Sequence, residues 1–228
     1  MEHMNAQGKR SGETAREYAY RMIREQVISL ELKPGEAFND MEFAAKIGVS
    51  RTPVREAVIQ LSEESRIIEI FPQRGMRIAP IDVELVEEAR SLRVLLEKQI
   101  AGMCCEMATE EDIKWLQENV GLQEFYMENS RPEMVMQLDD EMHHKLFMIC
   151  HRELTYGMCQ KLAIHYDRIR SLSVNTVKDN TIIEDHRKII QFIAEHKKEN
   201  AMAQMEKHLS RWQLNEGKFR QEFPDYFK

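Results

Sequence analysis

Two groups of residues in this chain have types and spacings that do chemistry. The back half holds Asp139 and His143 one helical turn apart, a spacing that lets two side chains reach one ion. His186 lies among Ile182, Ile189, Ile190 and Ile193, and His208 among Ala201, Met205 and Trp212. Three imidazoles and a carboxylate suit zinc, nickel or another divalent transition ion, with positions left for water or a ligand carboxylate. Asp140 and His144 share the spacing, but Leu138, Met142, Leu146 and Ile149 mark the buried stripe. Asp139 and His143 lie about 100° from that stripe, whereas His144 lies about 200° from Met142, which predicts water around the second pair. A single histidine on an apolar face is ordinarily a hydrogen-bonded core residue; the case here rests on four donors from three helices. Arg93 shares a face with Ala89, Leu96 and Ile100, so its charge calls for an anion. An internal salt bridge and a clamp for a carboxylate ligand both answer that need.

In the front half, Arg51, Thr52 and Arg55 fall in the first turns of a predicted helix. Arg51 and Arg55 share a face, and a guanidinium fork matches guanine O6 and N7; Thr52 suits a phosphate or a thymine methyl. Arg74 stands beside Gly75, where a glycine lets backbone approach a groove, and Lys46 is placed to reach a phosphate. A net charge of −7 speaks against nucleic acid until its distribution is read. Residues 1 to 80 carry 12 Lys or Arg against 12 Asp or Glu, leaving 20 against 27 for the remainder. The neutral front half can hold a duplex; the acidic back half cannot.

The elements that must position these groups follow from period and punctuation. Residues 1–13 are polar and aperiodic, and read as a disordered arm. From Ala15 the apolar residues Tyr18, Met22, Ile23, Val27 and Leu30 recur at helical spacing, and Leu32-Lys33-Pro34-Gly35 stops the helix near Leu30. Asn39-Asp40 caps a short helix that ends at Gly48; Ser50 caps the next, with Pro53 in its first turn and Val54, Ala57, Val58 and Leu61 inward. Two β-rich runs, Ile67 to Phe71 and Met76 to Ala79, flank a Gly-containing turn and form a hairpin. Beyond the linker Pro80-Ile81-Asp82 only helical periods remain. Breaks near Thr109, Ser130-Arg131-Pro132, Arg152, Asn175 to Asp179 and Glu199-Asn200 divide them into about six helices. Polar Asn175 to Asp179 is also a candidate cover over a pocket.

The sequence therefore predicts a mainly α chain: arm 1–13, winged helix-turn-helix 14–80, all-α bundle 81–221 and tail 222–228. At 228 residues with 43% hydrophobic and 31% charged residues, each domain is large enough for a core. No apolar run approaches the roughly 18 residues of a membrane span and no signal peptide opens the chain, so a cytoplasmic location is expected. Cys104, Cys105, Cys150 and Cys159 form no CxxC pair and read as reduced, mostly buried thiols.

One resemblance sharpens these readings. Leu32-Lys33-Pro34-Gly35, then Gly48-Val49-Ser50-Arg51-Thr52-Pro53-Val54-Arg55-Glu56-Ala57, then Arg74-Gly75 resembles the GntR family of bacterial transcription regulators across residues 15–80. The resemblance implies that Arg51, Thr52, Pro53, Arg55, Arg74 and Gly75 lie at a DNA interface and that a homodimer binds a palindromic operator. Met41 follows Asp40 where many members carry a DNA-contacting arginine. Residues 82 to about 215 are similar to the FCD effector domain of the FadR-type subgroup. That similarity implies a metal at Asp139, His143, His186 and His208, zinc first with nickel or manganese as alternatives. It also implies a small carboxylate effector held by Arg93, and it departs from the family at Met142, where an aromatic is common. The alternatives weighed are a regulator answering to metal alone and a metal-dependent hydrolase. The chain has no HExxH motif, phosphate loop or poised general base beside the ligands, so no enzyme is expected.

Overall fold

The computed structural model describes residues 8–176 and 181–228. Residues 177–180, and with them most of the candidate cover Asn175 to Asp179, lie outside the described residues. The chain forms two compact units, one running to Ile81 and including Asp225–Lys228, the other Asp82–Pro224.

In the first unit, α1 (Ala15–Ile28) opens with a reciprocal cap between Thr14 and Glu17. The preceding segment is not wholly unattached, since Glu13 binds Arg21 at 2.8 Å. Ala37–Phe38 form β1, followed by α2 (Asp40–Ile47), α3 (Arg51–Ser65), β2 (Ile68–Phe71) and β3 (Gly75–Ile78). The core is the packed inner faces of α1 and α3, with Ala19, Ile23 and Val27 against Val54, Val58 and Leu61, all nearly inaccessible. Gly48 takes φ 73° at the end of α2, the left-handed conformation glycine adopts without a Cβ clash, and so turns the chain tightly into α3. The hairpin is as expected, with Phe71 opposite Gly75. The two-residue β1 was not foreseen; it pairs Ala37 with Arg77 and makes the sheet order β1-β3-β2, all antiparallel. Nor is the chain's end a free tail: Phe227 pairs with Ile81, and the Ile81 N–H donates to the Tyr226 carbonyl at 2.6 Å.

The second unit holds seven helices among the described residues, one more than the sequence predicted. They are α4 (Val83–Met107), α5 (Glu110–Glu128), α6 (Pro132–Ile149), α7 (Glu153–Thr176), α8 (Thr181–Ala194), α9 (Lys198–Leu209) and α10 (Trp212–Glu222). The extra one is α10, split from α9 at Ser210-Arg211. Glu199 and Asn200, read as a break, lie inside α9; the actual turn is at Glu195 to Lys197. Helix α4 packs against α7 and α9, and α5 against α6 and α8, so α4, α6, α8 and α9 bring their inner faces together. All four cysteines are buried free thiols, with Cys104 and Cys150 sulfurs 3.5 Å apart. Among the described residues no helix is long and apolar enough to cross a membrane.

Candidate metal centre and basic reading head

Helix α3 presents Arg51, Thr52 and Arg55 outward, with Val54, Ala57 and Val58 fixing the opposite face in the core. Ser50 stands at the N-cap but makes no side-chain cap bond. The arginine side chains are 56% and 57% exposed, and both reach Asp40, which is buried. Arg51 Nε donates to one Asp40 oxygen at 2.9 Å and Arg55 Nη1 to the other at 3.3 Å. By sequence, Asn39-Asp40 together read as the cap of α2. The cap is Asn39, whose side chain accepts from the Met41 and Glu42 N–H groups, while Asp40 anchors the two arginines. Pro53 is half-buried, Arg74 and Gly75 are exposed at the hairpin turn, and Gly75 has φ 100°. Lys46 is half-exposed and held by Gln26 at 2.9 Å and Glu31 at 3.0 Å. Met41 is 61% exposed.

The second constellation is assembled as spacing implied. Asp139, His143, His186 and His208 are all buried, and one ligand atom from each lies within 4.8 Å of the others. His208 Nε2 is 3.3 Å from His143 Nε2 and 3.3 Å from His186 Nε2, and His186 Nε2 is 3.3 Å from Asp139 Oδ1. Zinc–nitrogen bonds of about 2.0–2.1 Å at tetrahedral angles separate two ligand nitrogens by about 3.4 Å, so this is the spacing of donors around one ion. Asp140 and His144 stay outside the group. Asp140 meets Arg170 at 2.8 Å, and His144 stacks on Tyr156 rather than facing open water.

The surrounding residues decide which atoms point lone pairs inward. The Leu138 carbonyl can only accept, and Asn119 Nδ2 donates to it at 3.1 Å. That turns Asn119 Oδ1 toward Gln123 Nε2 at 2.7 Å, which leaves Gln123 Oε1 to accept from His186 Nδ1 at 2.8 Å. His186 Nε2 is therefore a bare lone pair. His143 Nδ1 lies 2.5 Å from Glu97 Oε2, and a carboxylate there favours the proton on Nδ1 and a lone pair on Nε2. Two imidazole lone pairs and the Asp139 carboxylate thus converge on His208 with too few protons among them to pair all of these acceptors. A cation resolves the mismatch, and the residues present fit a divalent metal.

The electrostatics agree. Burial lowers His186 to about 4 and pushes His208 well below the usual histidine value, keeping both in the neutral form that ligates. Burial raises Asp139, but the Arg170 guanidinium outweighs it and holds the carboxyl far below the usual range. Glu97 is likewise raised by burial and brought well down by Arg93 and His143. Asn119, Gln123 and Glu97 escaped sequence reasoning because they come from other helices and match no local pattern. Gln123→Leu removes the acceptor that sets the His186 tautomer while leaving all four ligands. We expect metal affinity to fall roughly 10- to 100-fold, measured by competition with a chelator. Unaltered affinity would show that the relay does not orient His186.

Arg93 forms an internal salt bridge, one of the two roles the sequence left open. Its Nε donates to Glu97 at 2.5 Å and its guanidinium lies 5.2 Å over the Tyr166 ring, yet its buried Nη1 has no hydrogen-bond partner. It lines a cavity of about 40 Å³ beside Asp139 and His208, shared with Tyr166, Arg170 and Arg211. Arg170 is held by Asp139, Asp140 and Asp167, and Arg211 by Asp185.

Comparison with known proteins matches this chain to a family. Residues 15–78 match the family of bacterial regulatory proteins, gntR family, and residues 88–211 match the FCD domain. The HTH-type transcriptional repressor RspR of Escherichia coli is 28% identical over 209 residues, covering 91% of each chain. The Nta operon transcriptional regulator of Aminobacter aminovorans is 26% identical over 185 residues, covering 81% of this chain and 86% of its own. The solved structure of E. coli McbR/YncC superposes with a TM-score of 0.77 at 17% identity, covering 92% of this chain and 99% of its own, a likeness of fold. With its helix-turn-helix head and helical metal-capable unit, the chain belongs to the GntR family as a DNA-binding transcription regulator with an FCD domain, and is not an enzyme.

Proposed function

We propose that this regulator binds a palindromic operator as a cytoplasmic homodimer of the FadR-like subgroup. Lys46, Arg51, Thr52, Pro53, Arg55, Arg74 and Gly75 meet the duplex, and a small organic acid held at a metal site in the helical unit controls that binding. The exposed arginine pair on α3 and the glycine-led hairpin turn support the first half. The observation that carries the second half is Arg93 Nη1, a buried cationic donor left unpartnered on a cavity next to the four ligands.

Asp139, His143, His186 and His208 hold the metal, zinc first and nickel or manganese next. When bound, the ion supplies a Lewis-acid centre with room for a carboxylate oxygen. Arg93 supplies a charge-assisted hydrogen bond to the same carboxylate, and Tyr166 and Glu97 hold the guanidinium in place. Arg170 and Arg211 are engaged by protein carboxylates, and Arg93, though its Nε is held by Glu97, keeps Nη1 for the ligand. A cavity of about 40 Å³ is small beside an acyl chain, which favours short acids. The ligand shifts DNA affinity to the extent that it favours one arrangement of the helical unit over another.

Zinc-loaded protein should be screened by thermal shift against acids of two to six carbons. A binding acid at 100 times its Kd adds about 2.7 kcal/mol of stability and should change operator affinity. In Arg93→Lys, which keeps a cation beside Glu97, the response should weaken at least tenfold with metal content unchanged. No response to any short acid, or an equal response in Arg93→Lys, would refute the carboxylate site. Zinc switching DNA binding without any acid would mark a metal sensor instead.

A further inference from the structure

Helix α7 begins with a face turned the wrong way for a bundle helix. Leu154, Met158 and Leu162 are 87%, 72% and 46% exposed, and Gly157 and Lys161 lie exposed on the same side. These positions follow the i, i+3, i+4, i+7, i+8 pattern that normally marks a buried stripe. Cys159 and Ala163, on the opposite side, already provide the contact with the bundle. Three large apolar side chains left exposed along one helix face mark a protein contact.

From this face we infer that the first three turns of α7 pair antiparallel with the same turns of a second copy, making the dimer contact of the helical unit. The inference rests on the homodimer proposed above and names the surface that forms it. Charge pattern identifies the occupant. Glu153 and Lys161 lie two turns apart, both exposed, one at each side of Gly157. A two-fold axis near Gly157 sets each Glu153 opposite the Lys161 of the other copy, whereas a parallel pair would set like charges together. Neither side chain forms an ion pair among the described residues. Gly157 completes the case. Interior helix positions disfavour glycine, and a Cβ built there meets nothing within 4 Å, so no contact inside this chain calls for it. At a helix crossing the missing side chain lets two backbones approach.

The test uses the full-length protein, its mass followed by analytical ultracentrifugation over a concentration series. Wild type should be a dimer, and Met158→Glu should be monomeric with unchanged helicity and zinc content. Glu153→Lys and Lys161→Glu should each weaken dimerisation about fivefold or more, because two symmetric pairs become repulsive. The double variant E153K/K161E should restore it, a rescue no folding defect would give. A wild-type dimer that Met158→Glu leaves intact overturns this interface while the homodimer stands, and leaves the face to a different protein. A wild type that stays monomeric at tens of micromolar and on operator DNA overturns the homodimer itself.

Discussion

Arg51→Ala or Arg55→Ala should lower operator affinity by between roughly 30-fold and four orders of magnitude while the melting temperature hardly moves. A bidentate arginine–guanine contact discriminates by about 1–3 kcal/mol, and a two-fold operator uses each residue twice, giving about 2–6 kcal/mol at 1.4 kcal/mol per decade. The fold is insulated from the change because both side chains are more than half exposed and the inner face of α3 is untouched. Exposed substitutions of this kind usually move stability by no more than about 0.5 kcal/mol. Asp40 keeps one arginine in either single variant, whereas removing both would leave its buried carboxylate without either arginine and confuse binding with unfolding. Because Arg51 gives only Nε to Asp40, its two Nη groups remain for a base edge. Asp40→Asn should therefore weaken binding less than either arginine loss, by releasing guanidinium groups that are already there. Fluorescence anisotropy on a duplex selected from a random pool, with melting followed by circular dichroism, reads all three. Wild-type affinity in both arginine variants would remove α3 from the interface.

How far the sequence spoke depends on the range of the interaction involved. Helix α3 was legible because Gly48, Ser50, Pro53 and the stripe from Val54 to Leu61 all act within a few residues of one another. The clustering of Asp139, His143, His186 and His208 was legible because each histidine broke an apolar period that already placed it inward. Element ends were harder where the chain turns without glycine. His151 and His196 both take φ 54°, and Arg66 takes φ 55°, so the turn between α8 and α9 carried no punctuation at its true position. Strand β1 has two residues and exists only because β3 offers it an edge. Asp40, Glu97 and the Asn119–Gln123 relay are tertiary facts. Each is a polar residue whose meaning comes from a partner on another element or from a buried environment that local spacing does not encode.

Removing metal should cost the helical unit more than any single surface change. At 100 times its Kd the ion contributes about 2.7 kcal/mol, and at roughly 2–4 °C per kcal/mol for a domain of this order the melting temperature should fall by about 5–11 °C on chelation. Loss of an ion should hurt here because the ligands are buried and mutually unsatisfied without one. The His186 and His143 lone pairs are fixed inward by Gln123 and Glu97, and the Asp139 carboxylate is kept ionised beside them. His208 is the informative ligand to remove, since its Nε2 is 3.3 Å from both other imidazoles and its Nδ1 has no hydrogen-bond partner. His208→Ala should abolish the rise in melting temperature on adding zinc. In chelator it should melt closer to chelated wild type than a buried truncation usually does, because the lost packing is offset by relief of facing acceptors. Elemental analysis of the purified protein identifies the ion, and titration of the chelated protein with zinc, nickel and manganese ranks them. If wild type purifies without metal and none of the three raises its melting temperature, the four residues are a buried polar cluster, and the control proposed for this regulator needs another site.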